Sequence, residues 1–228
     1  MDTPKNIEES LNKGNFIYML IGLLTLSLIG PLITQWYPDG SRIITQFAFM
    51  SVMVIGVWSL NKQRVWFMAG LTLIILSLFF TFINYFINSK SLLLIGLFNT
   101  LLFCILSMIV AIRQILFRGS ITTNKIVGSI CIYLLLGYIW AIIYIFIDVV
   151  FPNSFNGIAS SSNYNDYWDL IYYSFVTLTT LGYGDVSPAI PIARSFSYLE
   201  AICGQFYLAI LVASLVGAYL ADHSKPDV

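Results

Sequence analysis

Charge is scarce in this chain. Of its 228 residues, 10% are Asp, Glu, Lys or Arg, against about 25% in a soluble domain, while 58% are hydrophobic. That much apolar surface cannot be buried in one small water-exposed core, so the implied solvent is lipid. The formal net charge is zero, which removes any general pull toward nucleic acid, and no nucleic-acid partner is expected. Histidine is limited to His223, to which no role is assigned. Cys104, Cys131 and Cys203 all sit inside apolar runs. They have neither metal-ligand spacing nor a polar loop for a disulfide framework, and read as buried free thiols. No nucleophile–base pair or metal cluster stands out, so neither an enzyme nor a cofactor is expected.

What the chain does have is long apolar runs. Residues 1–15 are polar and read as a cytoplasmic N-terminal tail. The first run, Phe16 to Tyr37, is longer than the roughly 7–15-residue core of a signal peptide and lacks a small-residue cleavage site. It reads as a retained spanning helix, kinked at Pro31 and ended by the turn Pro38-Asp39-Gly40-Ser41. Further spans are expected over about 42–60, 65–87, 92–116 and 126–150. A polar loop over 151–166 follows. Next comes an amphipathic stretch, 167–178, too short to cross a hydrocarbon core of about 30 Å. Asn165 or Asp166 is placed to cap it, and Asp169 in its first turn complements the helix dipole. A last long helix is expected over about 191–220. Six spans put both termini on one side. With the N-terminus inside, eight cations face inward (Lys5, Lys13, Lys62, Arg64, Arg113, Arg118, Lys125 and Lys225). Three face outward (Arg42, Lys90 and Arg194). That asymmetry places both termini in the cytoplasm, as expected for a multi-pass plasma-membrane protein.

Between the short helix and the last one lies Thr179-Thr180-Leu181-Gly182-Tyr183-Gly184-Asp185. Non-helical backbone at membrane depth is tolerated only where protein buries it or it lines a water-filled path. A short extended segment whose carbonyls all point one way can replace the water shell of a dehydrated potassium ion. Pointing successive carbonyls to one side needs alternating left-handed residues, which glycine adopts at little cost. Gly182 and Gly184 stand at alternate positions, as that requires. Thr180 can add its hydroxyl at the inner end, Tyr183 can brace the segment from behind, and Asp185 can gather cations at the outer mouth. The C-terminus of the short helix would place partial negative charge near the membrane centre, favouring a cation there.

The run from Thr179 to Asp185 resembles the signature of the pore-loop potassium channels. The resemblance covers about residues 126–222 and is nearest to prokaryotic single-pore members. It implies an outer helix, a polar loop, a re-entrant pore helix, an extended selectivity filter and an inner helix; with the apolar runs before them, the expected fold is an all-α membrane protein of six transmembrane helices with the pore helix and filter between helices five and six. It divides the chain into the tail 1–15, a four-helix region 16–125 and a pore domain 126–228. Potassium is expected at Thr180, Leu181, Gly182, Tyr183 and Gly184. Thr179, Asp185, Tyr172 and Tyr173 are expected to support the filter and outer mouth, and Gly204 stands where many members carry an inner-helix hinge. Close helix packing is the other reading of Gly204. Gln205, Leu208, Val212 and Val216 recur at helical spacing and are candidates to line a cavity. Many members carry tryptophan at the positions of Tyr172 and Tyr173, but a tyrosine there can still bond Asp185. Val176 stands where some members have a glutamate, so that pairing with Asp185 is missing and inactivation is expected to differ. One chain supplies one side of a carbonyl cage, so a homotetramer in a lipid bilayer is expected.

The last helix also carries an ionisable group, Glu200. An ionisable residue at membrane depth is a functional candidate by default; both a structural hydrogen bond behind the filter and a proton-sensing gate fit it. The expected fourth span carries no charge before Arg113, so a voltage sensor built on regularly spaced arginines is not expected. The eight residues after Leu220 are too few for a nucleotide-binding or calcium-sensing domain. A non-selective cation channel and a potassium transporter are the alternatives. The intact Gly-Tyr-Gly argues against the first, and the single complete filter segment against the second.

Overall fold

The computed structural model describes residues 16–36, 64–87, 89–116, 123–158 and 166–223. In chain order its helices are α1 (Phe16–Trp36), α2 (Arg64–Ile87), α3 (Lys90–Leu116), α4 (Thr123–Val150), α5 (Asp166–Leu178) and α6 (Pro191–His223). Two-residue strands β1 (Phe155–Asn156) and β2 (Ser187–Pro188) pair antiparallel, Phe155 opposite Pro188 and Asn156 opposite Ser187. The span expected over 42–60, the tail 1–15 and Asn165 lie outside the described residues. α1 is one continuous helical element through Pro31. Among the described residues, four stretches are long and apolar enough to cross a membrane: Trp66–Asn84, Lys90–Ile115, Asn124–Val150 and Pro191–Ser214. Phe16–Leu32 is a shorter apolar helix. The chain is therefore a helical protein suited to multiple membrane crossings.

In lipid there is little hydrophobic drive between helices, so association rests on close packing, small residues and a few hydrogen bonds. α4 is the element on which the others gather. On one side α1 lies against it: Phe16, Met19, Leu23 and Leu26 are buried together with Cys131, Leu135 and Tyr138. The Ser27 and Tyr138 hydroxyl oxygens are 2.6 Å apart. Gly30 lets α1 reach α5 as well, because a Cβ there would fall 1.9 Å from the Trp168 ring. On another side α3 packs through Cys104 against Ile139 and Ile142. α2 then packs on α3 through Ile74 and Phe103. There the Asn99 amide donates to the Leu73 carbonyl at 2.9 Å, and the Arg113 guanidinium sits 5.1 Å from the Trp66 ring centre. α5 and α6 complete the arrangement against the remaining face of α4.

Candidate functional site

α5 has 13 residues, about 20 Å of helix, and its last residue, Leu178, is fully buried. Its terminal carbonyls need partners, and the chain supplies them by turning sharply. Thr180 N–H donates to the Thr177 carbonyl at 2.9 Å and Leu181 N–H to the Val176 carbonyl at 2.9 Å. This is the pair of reversed bonds that ends a helix when the residue after its cap is left-handed. That residue is Thr180, with φ 58°. Glycine normally fills such a position, and a β-branched residue there is a clear outlier, worth about 1–2 kcal/mol of strain. Backbone strain of this kind concentrates at functional sites.

From this cap the segment runs on with left-handed residues at alternate positions, Gly182 at φ 59° and Gly184 at φ 80°. The alternation the motif requires therefore includes Thr180. Sequence reasoning missed this, because a β-branched side chain signals extended or helical backbone. Residues 179–185 are all exposed on the single chain. The Thr179 hydroxyl turns back to donate to the Phe175 carbonyl at 2.7 Å.

Supports converge on the segment from three elements. From α5, the Tyr172 hydroxyl donates to Asp185 Oδ2 at 2.8 Å, the contact expected of a tyrosine in this place. Tyr173 is buried instead, and its hydroxyl donates to Ser197 Oγ on α6 at 2.5 Å. From α6, Gln205 Nε2 donates to the Thr180 hydroxyl at 3.2 Å. Leu208 and Val212 are exposed on the single chain, while the Val216 side chain lies outside the described residues. Gly204 is pressed against the end of α5, since a Cβ there would lie 2.2 Å from the Leu178 carbonyl oxygen. From the loop after α4, β1 pairs with β2 just beyond Asp185, and Ala189 N–H donates to the Ser154 carbonyl at 2.8 Å. Behind these, Tyr144, Phe155 and Tyr173 form a triad with ring centres 5.1 to 5.5 Å apart, an edge-to-face arrangement that packs well.

Sequence reasoning also missed the strap from β1 to β2 and the role of Gly157 in it. Two-residue strands carry no periodic signal. Gly157, at φ 83°, passes so close to the outer mouth that a Cβ would sit 1.9 Å from the Asp185 carbonyl oxygen. Gly157→Ala is therefore expected to cost about 1–2 kcal/mol in backbone strain, with overpacking of about 1–3 kcal/mol added. Thermal unfolding of the purified protein should show a clear loss. Gly96→Ala is the control, because a Cβ at Gly96 meets nothing within 4 Å.

Comparison with known proteins shows what this region is similar to. Residues 128–221 match a family model described as "Ion channel", less than half of the chain. That stretch takes in nearly all of α4, the strap, α5, the glycine segment and nearly all of α6. The chain is similar to "Two pore potassium channel c" of Oryza sativa subsp. japonica, 41% identical over 54 residues. It is also similar to the "Putative potassium channel protein" of Rhodopseudomonas palustris, 39% identical over 51 residues. These matches cover 24% and 22% of this chain, and the chain spans about 12% of the length of each relative. No solved structure matches the chain. The resemblance to potassium channels drawn from Thr179–Asp185 is thus borne out.

Proposed function

We propose that the chain is a subunit of a potassium-selective channel, with residues 180–184 as its selectivity filter. The observation that carries this is the alternation of left-handed residues at Thr180, Gly182 and Gly184, within Thr-Thr-Leu-Gly-Tyr-Gly-Asp between a 13-residue helix and a 33-residue one. Such backbone turns successive carbonyls toward one side, where they replace the water of a potassium ion. Potassium is cargo here, passing down its electrochemical gradient. Tyr172 and Asp185 tie the outer end of the filter to α5, and Gln205 reaches its inner end from α6.

Four copies are needed to close the carbonyl cage, so the working form is a homotetramer in a bilayer. Large apolar side chains that the single chain leaves open, among them Leu181, Tyr183, Phe206 and Ile210 at 56 to 67% exposure, suit burial against neighbouring subunits and lipid. Counting the stretch 42–60, the chain crosses the plasma membrane six times with both termini in the cytoplasm. Gly204 acts by close packing on α5, and Leu208 and Val212 face the cavity below the filter.

Purified protein in liposomes tests the reading. Potassium flux should exceed sodium flux by at least tenfold, which corresponds to about 1.4 kcal/mol of discrimination. Equal fluxes would favour a non-selective cation channel, and saturating flux coupled to protons would favour a transporter.

A further inference from the structure

Glu200 lies on α6 with 0% exposure, at the place where α4, α5 and α6 meet. Its two oxygens have one partner each. The Tyr144 hydroxyl oxygen on α4 is 2.5 Å from Oε2, and the Ser174 hydroxyl oxygen on α5 is 2.5 Å from Oε1. Ser174 Oγ is also 2.7 Å from the Gly137 carbonyl oxygen.

Counting protons assigns the direction of these bonds. A carbonyl oxygen can only accept, and a serine hydroxyl has one proton to give. If Ser174 gives that proton to Gly137, then the short contact between Ser174 and Oε1 needs a proton from Glu200. If Glu200 were a carboxylate, Ser174 would have to turn its proton to Oε1. Two bare oxygens, Ser174 Oγ and Gly137 O, would then face each other at 2.7 Å. Burial argues the same way. An isolated carboxylate out of water is strongly disfavoured unless a cation pairs with it. The titratable side chains facing Glu200 are the tyrosines Tyr133 and Tyr144 of α4 and Tyr173 of α5. Among the described residues, no Lys or Arg is paired with it.

We propose that Glu200 works as a neutral carboxylic acid, accepting from Tyr144 and donating to Ser174, and that this bond positions the pore helix and with it the filter. The relay then runs one way: Tyr144 hydroxyl to Oε2, the acid proton on Oε1 to Ser174, and Ser174 to the Gly137 carbonyl. A second relay runs beside it, from the Tyr173 hydroxyl to Ser197 and from Ser197 to the Ala193 carbonyl at 2.7 Å. Both relays join α6 to α5, and both end on a backbone oxygen. Ser174 lies six residues before Thr180 on α5, so a slip at Ser174 moves the cap from which the filter starts. Glu200 is a positioning residue, and this part of the inference rests on reading residues 180–184 as a potassium filter.

Two measurements test it. Infrared difference spectra of wild type against Glu200→Gln at neutral pH should show the band of a protonated carboxylic acid. Carboxylate bands in its place overturn the proposal. In liposomes, Glu200→Ala and Ser174→Ala should each lower the potassium-to-sodium permeability ratio by about tenfold, since each leaves a buried polar partner unpaired. Glu200→Gln should recover most of that loss, because its amide donates to Ser174 as the acid does. A glutamine variant as damaged as the alanine variant overturns the neutral-donor role. Alanine variants that keep the full ratio overturn the positioning role. Should Glu200→Ala not assemble, Ser174→Ala carries the flux test alone. If wild-type vesicles show no preference for potassium, the filter reading fails, while the infrared result still decides the protonation of Glu200.

Discussion

Gly182→Ala is expected to abolish potassium-selective flux while leaving the purified protein folded. A Cβ at Gly182 would meet nothing within 4 Å on the single chain, so the cost is not a clash within the fold. It lies in the backbone: φ is 59°, and an L-residue held there costs about 1–2 kcal/mol. In the proposed tetramer the same strain enters four times, about 4–8 kcal/mol in all, or about three to six powers of ten in the population of the conducting conformer. The chain already carries one such strain at Thr180, so the segment has little tolerance for a second. Alanine relieves the strain by turning its peptide plane, which takes one carbonyl out of the row. Residue 182 belongs to an exposed extended segment and to none of the buried clusters, so helix content and unfolding should change little. Potassium and sodium fluxes, measured alongside the Gly96→Ala control, decide the matter. Retained discrimination in Gly182→Ala would remove the main support for the filter reading.

How far the sequence could be read depended on whether a feature was local. The glycine segment and its two flanking helices were legible because the half-length helix, the paired glycines and the long last helix all lie within one stretch of chain. α2 to α6 begin and end within about three residues of their expected bounds, since lipid imposes long apolar runs with polar breaks. The bond from Tyr172 to Asp185 was legible for the same reason, the two residues being 13 apart. Glu200 was legible only as an ionisable residue in an apolar helix. Its partner Tyr144 lies 56 residues away, and no spacing rule connects them. Nor could spacing show that Gly30 lays α1 on the Trp168 ring of α5, so that the first helix touches α5 directly. The left-handed Thr180 was hidden for another reason: its local preference opposes its conformation, and the helix cap and Gln205 override that preference.

Gly204→Ala should weaken both the fold and the discrimination between ions, and it separates the two readings of this glycine. Two effects oppose each other. Alanine is the better helix former by about 1 kcal/mol, which favours the variant. Against that, its Cβ would stand 2.2 Å from the Leu178 carbonyl oxygen and 3.1 Å from both the Leu178 carbonyl carbon and Cδ1. The near atom belongs to backbone, so no side-chain rotation removes the contact. Leu178 is itself fully buried, and its carbonyl already accepts from the Tyr133 hydroxyl at 3.3 Å, so it has little room to retreat. Overpacking of this kind costs about 1–3 kcal/mol, enough to outweigh the gain in helix propensity. The displacement falls two residues before Thr180 and one turn along α6 from Glu200. The Gly204–Leu178 and Glu200–Ser174 contacts between α6 and α5 would be disturbed together. A packing role therefore predicts a lower unfolding midpoint and a lower potassium-to-sodium ratio. A hinge role predicts a different pattern, with opening altered, the permeability ratio unchanged and stability raised by the added helix propensity. Single-channel recording beside thermal unfolding distinguishes them, and an unchanged ratio in a stabilised variant would return Gly204 to the hinge.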